Sequence, residues 1–352
     1  MQALCLQFFD PMTQRVMLLN PTPLEGTTQL SVTHWQTLKE FIELKSWFSE
    51  TPALTEDSKD PIIQNRPHSG TFMMGFDFHL TPIGPKLIEI NTNAGGFAAL
   101  IETCPHPDKK QLMKDSFVRA LKDEYTTFNL STPLNHICIL DDDIKNQWLY
   151  PEMVYFADLL TSYGFKVSLA VPHDLELKNN IVFYQGLRVD FIYNRVIDFR
   201  LSQPNHQVLR NIILNNAAAV SPQPAVYARS ADKRLLLNNY HSVLPQACLL
   251  QDKTVDEWKL LRKRFVFKPL NSAASKGVYR GDHVSLKKLT ELPPDTLAQE
   301  LIPPPRASDG TKYDLRVFTS GTQILGIASR HFNGQVMEMR TPGSGIRWVE
   351  II

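Results

Sequence analysis

Gly75-Phe76-Asp77-Phe78-His79-Leu80, Thr81-Pro82-Ile83-Gly84-Pro85 and Lys86-Leu87-Ile88-Glu89-Ile90-Asn91-Thr92-Asn93-Ala94-Gly95-Gly96 follow one another without a break. Two strand-like runs flank a Pro/Gly turn, which predicts a β-hairpin. Alternation along a strand puts Glu89 and Asn91 on one face of the second run and Ile88 and Ile90 on the other, and Asp77 on the first run is expected to face the same way. Two carboxylates and an amide oxygen are the hard donors that Mg²⁺ prefers. The small loop behind them, with Asn93, Gly95 and Gly96, can bring backbone N–H groups close to an anionic substrate. A hairpin with an ordinary polar, wet face would use the same residues, so the choice between the two rests on the remainder of the chain.

The bulk numbers narrow the field. A chain of 352 residues exceeds the roughly 250–300 at which single cores stop growing, so two or three lobes are expected. With 37 basic against 36 acidic residues and a formal charge of +1, there is no electrostatic footprint for nucleic acid or an anionic membrane. Cys5, Cys104, Cys138 and Cys248 are far apart, which suggests neither a zinc site nor a disulfide framework and fits a reducing, cytoplasmic setting. No apolar run is long enough for a membrane helix, and no targeting segment is evident at Met1-Gln2-Ala3-Leu4-Cys5.

Helical spacing is expected over His34–Phe48 and Asp108–Phe128, with a polar loop from Thr51 to Ser69. From about residue 131 the pattern becomes strand, helix, strand: His136–Leu140, Glu152–Tyr163, Lys166–Val171. This is a βαβ unit and predicts a parallel sheet. Ile181–Tyr184 and Val189–Arg195 read as a small hairpin feeding a further strand. Asp141-Asp142-Asp143, at the carboxyl end of the first strand, has two readings: a solvated acidic loop, or a hold on a substrate amine. Arg195 also has two: a clamp on a substrate carboxylate, or a surface partner of Asp190 or Asp198. No Gly-x-Gly-x-x-Gly follows the first strand, which rules out a dinucleotide fingerprint there.

In the last third, Arg264–Lys268 alternates so that Val266 and Lys268 share a face, and Pro269 ends the strand. Asn271–Val278 is built of small residues, including Ser272, Ser275 and Gly277, able to fold over phosphates. Leu297–Ile302 and Tyr313–Arg330 read as further strands, the latter broken by a tight turn. Taken with Glu89-x-Asn91, this order resembles the ATP-grasp enzymes, such as D-alanine:D-alanine ligase and glutathione synthetase. In that family the Asp and Glu-x-Asn segment closes the catalytic domain, whereas here it precedes the remainder. The resemblance therefore implies a circular permutation, as in eukaryotic glutathione synthetase and glutathionylspermidine synthetase, and Ile88-Glu89-Ile90-Asn91-Thr92 is particularly similar to the former.

The resemblance implies an α/β (α+β) fold, a circularly permuted ATP-grasp with a Rossmann-like parallel-sheet substrate domain. It divides the chain into 1–130, carrying the metal-binding hairpin, 131–220, the substrate domain, and 221–352, the nucleotide-binding subdomains. It implies ATP and Mg²⁺ as cofactors, with Mg²⁺ on Asp77, Glu89 and Asn91. Lys233, Lys268, Ser272, Ser275 and Gly277 would contact phosphates, Gln299, Glu300 and Leu301 the adenine edge, and Asp314 or Asp309 the ribose. Arg316, Arg330 and Arg340 would stabilise charge on the transferred phosphoryl group, and Asn93, Gly95, Gly96 and Arg195 would hold substrate. The implied activity is an ADP-forming carboxylate-amine ligase acting on small amino-acid-like or peptide-like substrates, with a homodimer compatible. An ATP-grasp kinase and a non-catalytic nucleotide-binding module are the alternatives. Gly75 stands where eukaryotic glutathione synthetase carries a substrate-binding arginine, which points away from glutathione itself as product.

Overall fold

The computed structural model describes residues 7–10, 15–44, 59–64, 71–128, 130–231, 233–238, 241–270, 277–334 and 337–352. The hairpin forms from strands Met74–Thr81 and Gly84–Asn91, with Asp77 opposite Glu89 and Gly75 opposite Asn91. The register then skips Ile88, so that Phe78 pairs with Leu87. This bulge turns Leu87 to the face of Phe78 although its spacing from Glu89 predicts the other.

The neighbours of the hairpin come from the far end of the chain. Met74–Thr81 pairs antiparallel with Lys312–Ser320, Asp77 opposite Arg316 and Gly75 opposite Phe318. The sheet continues through Gln323–Phe332 and Gly345–Ile351 to Pro23–Leu30, giving six strands with the hairpin at one edge. Phe76, Phe78, Leu315 and Val317 pack on one face with Leu38, Phe41 and Ile42 of the helix Val32–Glu43. That helix begins at Ser31, whose side chain caps His34 N–H, and stops before the expected end. The opposite face carries the charged groups, because residues directly opposite in an antiparallel pair share a face: Asp77, Glu89, Arg316, Asp314 and Arg330.

The expected parallel sheet is present: Ala219–Ser221, Phe191–Asn194, His136–Leu140 and Lys166–Ala170 lie in that order, with the helix Tyr150–Ser162 as a crossover. The small hairpin differs from expectation. Ile181–Tyr184 pairs with Leu187–Arg188 and with an unanticipated strand, Leu175–Lys178, in a separate three-stranded sheet. A second antiparallel sheet of four strands, Ala247–Leu249, Leu297–Glu300, Phe265–Lys268 and Tyr279–Arg280, forms its own core with Trp258 between Phe265 and Phe267.

Tyr227–Ala231 is a π-helical turn, followed by a 3₁₀ segment, Lys233–Asn238. One local expectation is corrected. Within the expected Thr51–Ser69 loop, Pro61–Gln64 is a helical turn that buries Ile62 and Ile63 against the parallel sheet. No described helix is long and apolar enough to cross a membrane.

Candidate active site

The charged face of the six-stranded sheet looks across to the four-stranded sheet, and Lys268 bridges them. Its Nζ donates to Gln299 Oε1 at 2.7 Å and to the Ile88 carbonyl at 3.4 Å, and Gln299 Nε2 reaches the same carbonyl at 3.3 Å. Ile88 is the residue skipped by the ladder, so its carbonyl is available because the bulge frees it from strand pairing. Burial pulls the Lys268 ammonium down to about 8, Glu89 opposes that shift and Lys233 adds to it. Lys233 and Glu89 are thus within electrostatic reach of one buried amine.

Asn91 Nδ2 donates to Asp77 Oδ2 at 3.0 Å and to Glu89 Oε1 at 3.1 Å. The expected triad is therefore together. Asp77, however, is already spent on two arginines. Arg316 donates Nε to Oδ1 at 2.7 Å and Nη2 to Oδ2 at 2.6 Å, and Arg330 Nη2 lies 2.7 Å from Oδ2. Burial raises the Asp77 pKa, and the two guanidinium groups outweigh burial and hold the carboxyl below its ordinary value. With one oxygen accepting from Arg316, Arg330 and Asn91, Asp77 does not fit as a Mg²⁺ ligand in this arrangement. Glu89 and Asn91 retain the oxygen donors Mg²⁺ needs. Among the described residues no group of three or more His, Cys, Asp or Glu side chains is arranged to hold a metal.

The same network accounts for three further expected residues. Asp314 holds Arg330 through two bonds of 2.8 and 2.6 Å, so it is a second counter-ion, not an open ribose acceptor. Arg316 Nη1 donates to the Gly95 carbonyl at 3.1 Å, which ties the Gly95 loop to the sheet. Arg340 is not part of this cluster: it is exposed, with its guanidinium 5.8 Å from the Trp148 ring centroid. Asp309 accepts from Thr311 and from Arg347 at 2.7 Å. Glu300 and Leu301, expected at the adenine edge, already donate their backbone N–H to Gln246 and Arg264 carbonyls. Gly277 has φ 72 and sits against Pro269, whereas Ser272 and Ser275 lie outside the described residues.

On the other side of the Gly95 loop, the surface reading of Arg195 is corrected, and that of Asp141–Asp143 is corrected at Asp141 alone, since Asp142 is half-buried and Asp143 exposed. Arg195 is buried and pairs with neither Asp190 nor Asp198: Nη1 donates to the Ala94 carbonyl at 2.9 Å and to Tyr193 Oη at 3.1 Å. Asp190 instead accepts from the N–H groups of Asn135 and His136, and Asp198 from His206. Asp141 is buried rather than solvated, and burial pushes its carboxyl up to about 6. Asn93 Nδ2 donates to the Arg195 carbonyl at 2.8 Å. Glu152, which sequence reasoning passed over as a helix residue, accepts from Gly96 N–H at 2.8 Å and Ala98 N–H at 3.1 Å. Its one signal was a carboxylate next to Tyr150, Pro151 and Met153 in a helix turn whose neighbours are buried.

No family model and no curated protein sequence matches this chain. Solved structures do. A glutathione synthetase-like effector from Globodera pallida, in its apo form, superposes with a TM-score of 0.60 over 98% of this chain and 93% of its own, at 13% identity. The fold is glutathione synthetase-like. A candidate γ-glutamylcysteine synthetase from Methylobacillus flagellatus superposes with a TM-score of 0.54 over 89% of this chain and 87% of its own, at 11% identity. At such identities the likeness is one of backbone, and the glutathione synthetase-like scaffold here carries its own arrangement of charges.

Proposed function

We propose that the chain is a circularly permuted ATP-grasp ligase: it uses ATP and Mg²⁺ to join a small carboxylate to an amine, releasing ADP and phosphate. The observation that carries this is the seating of Lys268 on the hairpin that bears Glu89 and Asn91, its Nζ on the Ile88 carbonyl and Glu89 and Lys233 both within electrostatic reach. Cations gathered beside oxygen donors suit a nucleoside triphosphate, whose negative charge the lysines offset. Mg²⁺ bound by Glu89 and Asn91 would supply charge neutralisation between phosphate oxygens.

The chain's own residues do the positioning. Lys268 is held by Gln299 and Ile88, so it meets a phosphate oxygen without first losing rotamer freedom. The Gly95 loop, fixed by Arg316 and Glu152, presents the acid beside that phosphate. Attack by the carboxylate on the γ-phosphorus gives an acyl phosphate and ADP, and attack by the amine then expels phosphate and forms the amide. Arg330, buried and paired with both Asp77 and Asp314, fixes the hairpin against the neighbouring strands and so holds Glu89 and Asn91 in place.

The test is a screen of amino acids and small peptides, as acid and amine, for ADP release with Mg²⁺ and ATP. Release of ADP and phosphate with a new amide mass, abolished by Lys268→Ala, supports the ligase. A stable phosphorylated acceptor would make it a kinase, and tight ATP binding with no ADP from any pair would leave only a nucleotide-binding module.

A further inference from the structure

The two carboxylates expected at the ribose, Asp314 and Asp309, are engaged by arginines. We propose that His79, on the first strand of the hairpin, is the residue that binds the ribose hydroxyls. This inference rests on the nucleotide reading above and deepens it.

His79 lies two residues beyond Asp77 on the strand Met74–Thr81 and is half-buried. Its Nδ1 is 2.7 Å from the Ile302 carbonyl. A carbonyl can only accept, so Nδ1 carries the hydrogen, and Nε2 of the neutral ring is left as an acceptor. Nε2 has no hydrogen-bond partner among the described residues. The bond to Ile302 also fixes where the ring sits. Ile302 lies two residues beyond the strand Leu297–Glu300, the strand expected at the adenine, although the N–H groups of Glu300 and Leu301 there are already engaged. The ring is also within electrostatic reach of Asp314, Lys268 and Arg330, the groups at the phosphate end. A ring bonded beside the end of the strand Leu297–Glu300 and within electrostatic reach of Lys268 is placed for the sugar that joins adenine to phosphate. A hydroxyl donating to Nε2 completes the ring's hydrogen bonding, and the neutral form that this requires is the one favoured by burial. The sequence pointed to Asp309 or Asp314 for the ribose and gave no sign of a histidine 223 positions before Ile302.

The experiment is a double-mutant cycle between protein and nucleotide. Affinities of the wild type, His79→Phe and His79→Gln for ATP, 2′-deoxy-ATP and 3′-deoxy-ATP are measured by calorimetry with Mg²⁺ present. Phe keeps the ring volume and loses both nitrogens, whereas Gln keeps a polar group near the Nε2 position. The wild type is expected to bind one deoxynucleotide about five- to tenfold more weakly than ATP, the loss of one hydrogen bond. His79→Phe should bind ATP as weakly as the wild type binds that analogue, with no further loss on removing the hydroxyl, and His79→Gln should recover part of the discrimination. If His79→Phe binds ATP normally and still discriminates as the wild type does, the ribose assignment is wrong while the nucleotide site stands. If the folded wild type binds neither ATP nor its analogues, the nucleotide reading itself fails.

Discussion

Asp77→Asn separates two roles for the most buried carboxylate of the site. As a metal ligand, Asp77 would contribute little to the stability of the metal-free protein. As found, it is 1% exposed and is the counter-ion of Arg316 and Arg330. Removing it leaves two buried guanidinium groups with Asp314 as their one remaining carboxylate, and breaking such a buried pair costs about 3–5 kcal/mol. At a urea dependence of roughly 2–3 kcal/mol/M, that is a loss of about 1–2.5 M in midpoint. Equilibrium unfolding in urea, without Mg²⁺ or nucleotide, reads this directly. The pH dependence has a definite sign. The folded Asp77 carboxyl is held below its ordinary value, so its contribution is complete above the unfolded pKa of about 3.9 and is lost as pH falls through the lowered folded value. The gap between wild type and variant should therefore narrow below about pH 4. An unchanged midpoint at pH 7, together with loss of Mg²⁺-dependent nucleotide binding, would refute the counter-ion argument and restore Asp77 as a ligand.

Lys268→Met should stabilise the free protein at pH 7, by at most about 3 kcal/mol, because burial holds the ammonium down at about 8. The wild type regains that stability as pH rises from about 8 towards the unfolded value of about 10.4, so the advantage should disappear over that range while nucleotide affinity falls at least tenfold; an advantage that grows with pH would contradict the argument. Gly75→Ala should cost about 1–3 kcal/mol by overpacking, because a Cβ there lies 2.8 Å from Ala94 Cβ and 3.2 Å from Arg316 Nε; thermal unfolding measures it, and a neutral result would show that Arg316 can move aside. Glu152→Ala should cost about 1–3 kcal/mol by leaving the Gly96 and Ala98 N–H groups without their acceptor; proteolysis near the Gly95 loop should accelerate, and unchanged protection would argue against Glu152 as its anchor.

The position of Gly75 illustrates what a linear reading can and cannot reach. That an arginine is missing there is visible from the resemblance alone. Why nothing larger fits is a matter of contact: Arg316, opposite Asp77 on a strand far away in sequence, crosses Gly75 on its way to the Gly95 carbonyl. Likewise, alternation correctly paired Glu89 with Asn91, and the bulge at Ile88 that aims a carbonyl at Lys268 and Gln299 left no mark in the residue types.

The sequence by itself determined the hairpin, the βαβ unit, the Lys268 strand and the Lys312–Phe332 meander, because each depends on short-range alternation, turn residues and apolar spacing, which are local. It also showed which oxygen donors and cations the chain possesses. Tertiary structure alone decided how those charges divide. Strand pairing set Asp77 opposite Arg316 and brought Arg330 alongside, and burial made pairing obligatory, because an unpaired charge in that sheet would be more costly than any lost ligand role. The same long-range packing drew Arg195 and Glu152 out of solvent and onto the Gly95 loop. Which groups remain open for a ligand is a remainder, left after the protein has satisfied its own buried charges, and such a remainder can be read only in three dimensions.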